Sequence, residues 1–379
     1  MSDEIASLIA LRHDLHRMPE LSGAETRTAQ RIAAEMAALG ADEIATGIGG
    51  TGVIATFHSG AAGPRVMFRA ELDALPIEET GSPAHRSTIS GRGHLCGHDG
   101  HMAVLVGLGR RLRARPPRQG SVALLFQPAE ETGAGAAAML ADARMQAHGF
   151  DYGFALHNMP GVAQGRALIR AGVMSCASIG MAVRLTGATS HASEPEKARS
   201  PALALSRLIP ALGALSSGDV ARDDFRLLTL THLRMGEPAF GITPGAAEIC
   251  ATLRSTTDEG LASLRAEAVA LCRAEAAAER LEIGFDWHDG FAATVNDLEA
   301  ARLLAVAAQT AGIETTETGL PMRASEDFGR FGSVMRSAMI LLGAGEDHPA
   351  LHAGDYDFPD ALIGQGVEMF DQLRRGLTG

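Results

Sequence analysis

A chain of 379 residues, 46% hydrophobic and 21% charged, is long enough for two domains and has a globular composition. Its net charge of −12 argues against nucleic acid as a partner, because a phosphate backbone needs concentrated Lys and Arg. No run approaches the roughly 20 apolar residues of a membrane span. The acidic start Met1-Ser2-Asp3-Glu4 lacks the basic region of a secretion signal, and Cys96, Cys176, Cys250 and Cys272 form no CxxC pair, so a cytoplasmic protein is expected.

Residues 24–39 carry apolar side chains at helical spacing (Ala29, Ile32, Ala33, Met36, Leu39) and stop at Gly40. Gly47-Ile48-Gly49-Gly50-Thr51-Gly52 satisfies the GxGxxG spacing. It follows a helix and leads into the strand-like 53–57, the reverse of the strand–loop–helix order that a dinucleotide site needs, and reads as a turn. Short apolar runs at 65–68 and 121–126 suit a parallel sheet buried on both faces, with a helix at 101–113 between them. Further strands are expected at 152–156 and 337–342. From 178 to 287 the pattern changes to strand (179–186), helix (202–215), strands (226–235 and 246–255), helix (258–279) and strand (282–287). This βαββαβ order describes a small ferredoxin-like α+β domain. The expected architecture is therefore α/β: a catalytic domain with a mainly parallel central sheet flanked by helices, at 1–177 and 289–379, interrupted by a smaller lid or dimerisation domain at 178–288.

Four segments that follow strands or open a helix hold metal donors: His94 to His101 with Cys96 and His98, Gln127 to Glu131 with Glu130 and Glu131, His157, and His352. Cys and His two apart on an extended turn can face one metal, and loops after the carboxyl ends of strands form the active edge of an α/β sheet. Each residue has a plainer reading. His157 alone is a structural histidine, and the paired glutamates open a helix. Cys96 is a small apolar filler or a nucleophile partnered by His98 or His157. A cysteine hydrolase accounts for one Cys and one His only, and leaves Glu130, Glu131 and the other histidine without a role. Asp73 either orients a ligand from behind or caps the turn before Pro76.

With these residues in place the chain resembles the aminoacylase-like metallopeptidase family, in particular its N-acyl-amino-acid amidohydrolases of the hippurate hydrolase and indole-acetyl-amino-acid hydrolase type. The matching segments run nearly end to end: Arg12 to His16 with Pro19 to Ser22, Arg69 to Leu75, Cys96 to His101, Phe126 to Glu131, Leu156-His157, Ser325 to Phe328, and Leu351-His352 with Tyr356 to Phe358. The resemblance implies two divalent metals (Mn, Zn, Co or Ni) held by Cys96, His98, Glu131, His157 and His352, with Cys96 bridging. It implies Glu130 as general base, Asp73 and Asp99 supporting the ligands, and an N-acyl-amino acid as substrate. It further implies a homodimer or tetramer assembled through the middle domain, where His191 reaches the substrate carbonyl. Arg254 matches a family arginine suited to a substrate carboxylate; on sequence alone it is equally a surface strand residue. Glu196 and Gly241 stand where the family commonly has His and Asn, which makes this pocket more acidic and suggests a polar or cationic substrate group. A dipeptidase or carboxypeptidase with the same metals is the alternative enzyme. A metal- or ligand-binding protein without activity is the alternative class, against which the second carboxylate at Glu130 argues.

Overall fold

Leu8, Leu11 and Leu15 lie at helical spacing and are buried on one face of α1 (Asp3–His16), a helix the sequence reading passed over. In this computed structural model, which describes residues 3–379, α2 (Thr26–Ala38) follows and buries Ala29, Ile32 and Met36. Strands β1 (Glu43–Ile48) and β2 (Gly52–His58) pair antiparallel with Ile48 opposite Gly52, so the glycine-rich stretch is the turn of a hairpin. Next come β3 (Arg65–Glu71), α3 (His98–Ala114), β4 (Ser121–Gln127), two short helices α4 (Gly135–Ala141) and α5 (Ala143–His148), and β5 (Tyr152–Pro160). Two short strands, β6 (Arg166–Leu168) and β7 (Gly172–Ser175), close this part.

The middle of the chain contains β8 (Ala177–Thr186), β9 (Ser190–His191), α6 (Ala202–Gly213), β10 (Arg226–Met235), β11 (Ile242–Thr243), β12 (Ala246–Ser255), α7 (Asp258–Ala278) and β13 (Glu282–Phe291). The βαββαβ elements build a four-stranded antiparallel sheet in the order β10-β12-β8-β13, while β9 and β11 form a separate pair. Val183, Leu185, Ile249 and Leu253 of the sheet bury against Leu205 and Leu208 of α6 and Leu264 and Ala268 of α7. The chain then returns through β14 (Thr294–Asn296), α8 (Leu298–Thr310), β15 (Glu314–Thr316), β16 (Arg336–Gly345) and α9 (Ala361–Thr378).

The chain divides into two compact units. The first runs to Met174 and resumes over Thr294–Leu320 and Asp327–Gly379; the second is Ser175–Ala293 with Pro321–Glu326. The short Pro321–Glu326 piece was expected in the catalytic domain; it joins the second unit because Cys176 N–H donates to the carbonyls of Met322 and Ala324. The eight-stranded sheet of the first unit has the order β1-β2-β4-β3-β5-β16-β6-β15, and its central strands β4, β3, β5 and β16 are parallel. Its apolar core joins Val66, Phe68, Leu124 and Phe154 of the sheet to Leu105 and Leu108 of α3 and Phe370 of α9. The carboxyl ends of β3, β4 and β5 lie side by side, which brings the segments after Glu71 and Gln127 to one edge. No helix is long and apolar enough to cross a membrane among the described residues.

Two local expectations are corrected. Helix α3 begins at His98, not at 101, so His98 lies in its first turn and Cys96 in the bend just ahead of it. Gly97 between them is left-handed (φ 94°) and turns the chain so that both side chains still meet. His157 lies inside β5 instead of after it, because β16 pairs on past Leu156 through Leu341 opposite His157.

Candidate metal centre

Every expected ligand belongs to the first unit, and the fold brings their donor atoms together. Cys96, His98 and His157 form one group of mutually close donors, Cys96, Glu131 and His352 a second, and His98, Glu130 and Glu131 a third, all within 4.8 Å in each group. Cys96 Sγ is common to the first two groups. Its distance to His157 Nε2 is 3.4 Å, and His352 Nε2 lies 3.4 Å from Glu131 Oε2. The set runs outward from buried His98 and Cys96, through half-buried Glu131 and His157, to exposed His352.

The backbone fixes which ring nitrogen faces inward. His98 Nδ1 donates to the Asp73 carbonyl at 2.8 Å, and His157 Nδ1 donates to the Asn158 carbonyl at 2.8 Å. Both rings therefore turn Nε2 toward the shared thiol, and the buried Nε2 of His98 finds no hydrogen-bond partner among the described residues. A buried imidazole nitrogen left so, with its partner nitrogen anchored to a carbonyl, is the arrangement of a metal-ligating histidine. The Asp73 carboxylate supports two candidates at once: its Oδ2 accepts from the Glu131 N–H at 3.0 Å and from Ser22 Oγ at 2.7 Å, and its Oδ1 is 3.4 Å from His98 Nδ1.

The electrostatics ask for positive charge. Burial pushes the Cys96 thiol well up, and the carboxylates of Glu131, Glu130 and Glu71 push it the same way. Burial alone would lower His98; its hydrogen bond with Asp73 and the charges of Glu71, Asp73 and Glu131 lift it instead to about 10. A cation placed among these groups would take over the role of that proton and release the thiolate. Donor types, ring orientation and charge all fit divalent metal.

Asp99, expected behind the ligands, is paired with α1. Its hydrogen bonds go to Arg12 Nε (2.8 Å) and His16 Nδ1 (2.9 Å), within a cluster of buried Arg12, His16 and His85 and the half-buried Asp357. Sequence reasoning assigned no role to several residues that frame the site. His101 bridges Glu71 (2.7 Å) and Asn158 (2.6 Å). Asp327 accepts from Arg69 (2.8 Å), Gln127 (2.7 Å) and the Ala136 N–H (2.9 Å), while its own N–H donates to Glu130 Oε1 at 3.4 Å. That network holds the carboxylate of Glu130 in place. Its only sequence trace was that these residues fall within the recognised motif segments.

The remaining candidates belong to the second unit. His191 is exposed on β9, opposite Ile242, and its Nδ1 accepts from the Ser193 N–H at 3.2 Å, which leaves the proton on Nε2 of the neutral ring. Gly241 is exposed, and its carbonyl accepts from the Ala192 N–H. Glu196 is exposed on the 3-10 turn Pro195–Lys197. Arg254 is half-buried on β12; its Nη1 donates to Ser325 Oγ (2.8 Å) and the Arg323 carbonyl (3.1 Å), and no carboxylate pairs with it among the described residues.

The fold and its donor residues have known counterparts. Residues 67–375 match the model of peptidase family M20/M25/M40, and the chain belongs to that family. It is 32% identical to the hippurate hydrolase of Campylobacter jejuni over 96% of this chain and 94% of that one. The IAA-amino acid hydrolase ILR1-like 5 of Arabidopsis thaliana is 28% identical, over 97% of this chain and 85% of its own length. The crystal structure of the Bacillus subtilis YXEP protein, described as a dinuclear metal binding peptidase of the M20 family, superposes with a TM-score of 0.82 at 24% identity, covering 98% of both chains. The protein is an amidohydrolase.

Proposed function

We propose that the chain hydrolyses the amide bond of N-acyl-amino acids at a centre of two divalent metals. The observation that carries this is the thiol of Cys96 standing in two donor groups at once, with His98 and His157 on one side and Glu131 and His352 on the other. These five residues would hold the metals, with Cys96 shared. The metals would supply a Lewis acid for the scissile carbonyl and bring the pKa of a water down from about 16 toward 7.

The chain's own groups do the rest. Glu130, adjacent to Glu131 but left out of both Cys96 groups, faces His98 Nε2 at 3.9 Å and takes the proton of the attacking water. It then returns that proton to the leaving amine nitrogen, a role worth on the order of 10²–10⁴ in rate. His191, with its proton on Nε2, is the donor to the developing oxyanion, worth about 3 kcal/mol. Arg254 offers the remaining edge of its guanidinium to the substrate carboxylate. The second unit is also the surface for a homo-oligomer: the outer strand β10 exposes Leu233 and Met235, and α6 exposes Leu203 and Ile209.

The test is an amine-release assay with Mn²⁺, Zn²⁺, Co²⁺ or Ni²⁺ across acetyl-, benzoyl- and indoleacetyl-amino acids and dipeptides, with metal content measured alongside. Glu130→Gln is expected to keep its metals and lose at least a hundredfold in kcat, while His98→Ala loses metal. Near-normal kcat in Glu130→Gln would sink the general-base assignment, and preference for dipeptides would shift the substrate class to peptides.

A further inference from the structure

On the second unit, away from every residue given a part in the reaction, lies an open groove of about 620 Å³ lined by Ala262, Arg265, Ala266, Val269 and Arg273 of α7 and Phe285 and Trp287 of β13. Its size is that of a small-molecule site. The floor is flat and apolar, because Ala262, Ala266 and Val269 recur at helical spacing with small side chains. Phe285 and Trp287 alternate onto the same face of β13, and their rings lie nearly parallel (8°) with centroids 6.3 Å apart. Over them lie two guanidiniums: Arg265 is 3.8 Å from the Trp287 ring centre and Arg273 is 5.8 Å from that of Phe285.

The charge here is uncompensated in a chain whose net charge is −12. The acids along the middle and end of α7 are engaged elsewhere: Glu267 pairs with Arg226 at 2.7 Å, and Glu275 and the capping Glu279 pair with Arg207 at 2.5 and 2.6 Å. None stands three or four residues from Arg265 or Arg273, the spacing that would neutralise them along the helix. Neither arginine has a carboxylate partner among the described residues, and no acid lines the groove. A guanidinium stacked on a ring spends its flat face and keeps its N–H edge free, which is the geometry for a bidentate carboxylate.

We infer that this groove binds small aromatic carboxylates, the ring lying on the Ala262–Ala266–Val269 floor and the carboxylate between the edges of Arg265 and Arg273. An acidic peptide laid along the open edge of β13 fits less well, since Glu282 and Asp289 on that strand would repel it. The ligand class includes the acid that hydrolysis of an aroyl-amino acid releases, so the groove would sense product; that link, unlike the binding, rests on the reaction proposed above.

Trp287 is the chain's single tryptophan, so its emission reports this groove and needs no turnover. Titrating the intact protein with benzoate is expected to change that emission saturably, with neutral benzamide at least tenfold weaker. Arg265→Gln should weaken benzoate at least tenfold, and Arg273→Gln, which keeps the Arg265–Trp287 stack, severalfold, with circular dichroism unchanged. A linear, unsaturable response, equal effects of benzamide, or unaltered affinity in both variants would overturn the site, and a tighter response to an aspartate-rich peptide would overturn the small-ligand assignment. Because only emission is read, loss of this result leaves the hydrolase reading untouched, and failure of hydrolysis leaves this one standing.

Discussion

His16 shows how far single side chains depend on partners distant in sequence. Its Nδ1 faces Asp99 at 2.9 Å and its Nε2 faces Glu79 at 3.3 Å, with Arg12, His85 and His94 packed around it. Burial and Arg12 pull its pKa down, but Asp99 and Glu79 outweigh them and lift it to about 9. His94, buried with no hydrogen bond on either nitrogen among the described residues, falls to about 4 and stays neutral over the pH range concerned. Against an unfolded value near 6.5, the raised His16 contributes stability that is fully present below pH ~6.5 and is lost as pH rises through about 9. A shift of this size corresponds to about 3 kcal/mol at most. Urea midpoints should therefore fall between pH 6.5 and 9 in the native protein and much less in His16→Gln. An equal slope in both would show that the charge on His16 does not stabilise the fold.

At the scale of elements, the junction from Cys96 into α3 decides whether two donors meet. A Cβ at position 97 would stand 2.3 Å from Asn158 Oδ1, on backbone at φ 94° that costs a side chain about 1–2 kcal/mol. Gly97→Ala should thus displace Cys96 or His98 and lower metal affinity tenfold or more in a competition titration. Gly23→Ala, with φ 78° and nothing within 4 Å, pays only the backbone strain and should leave affinity unchanged. If both bound metal alike, the junction would not be what aligns the donors. The same junction marks where sequence legibility ends. The inner strands β2, β3, β4, β5 and β16 of the first sheet, the four of the second and the βαββαβ order were readable, because burial on two faces leaves continuous apolar runs, whereas the short β6 and β15 and the edge strand β1 leave no such run and were passed over. The start of α3 and the length of β5 were not readable, since a left-handed glycine and the pairing with β16 settle them. The partners of Asp99 and the network of Asp327 were also hidden, because Arg12 and Arg69 lie 87 and 258 residues away in the chain.

For the whole molecule, the division into two units predicts an uneven response to metal. All five proposed ligands fall in the first unit: Cys96, His98, Glu131 and His157, the last on the central strand β5, ahead of the inserted second unit, and His352 behind it. A ligand that binds only the folded state stabilises by about 2.7 kcal/mol at a hundredfold excess over its dissociation constant. That gain belongs to the elements whose opening breaks the site, which are α3, β5 and the segment around His352. The second unit closes its own core of Val183, Leu185, Leu205, Ile249 and Leu264 and supplies no proposed ligand. Chelation followed by amide hydrogen exchange should therefore speed exchange in α3 and β5 by up to about a hundredfold, while amides of β8 and β12 keep their rates. Adding back metal should restore protection in the first unit alone. Equal loss of protection in both units would mean that they unfold as one cooperative body, and protection lost only in the second would move the metal centre out of the first.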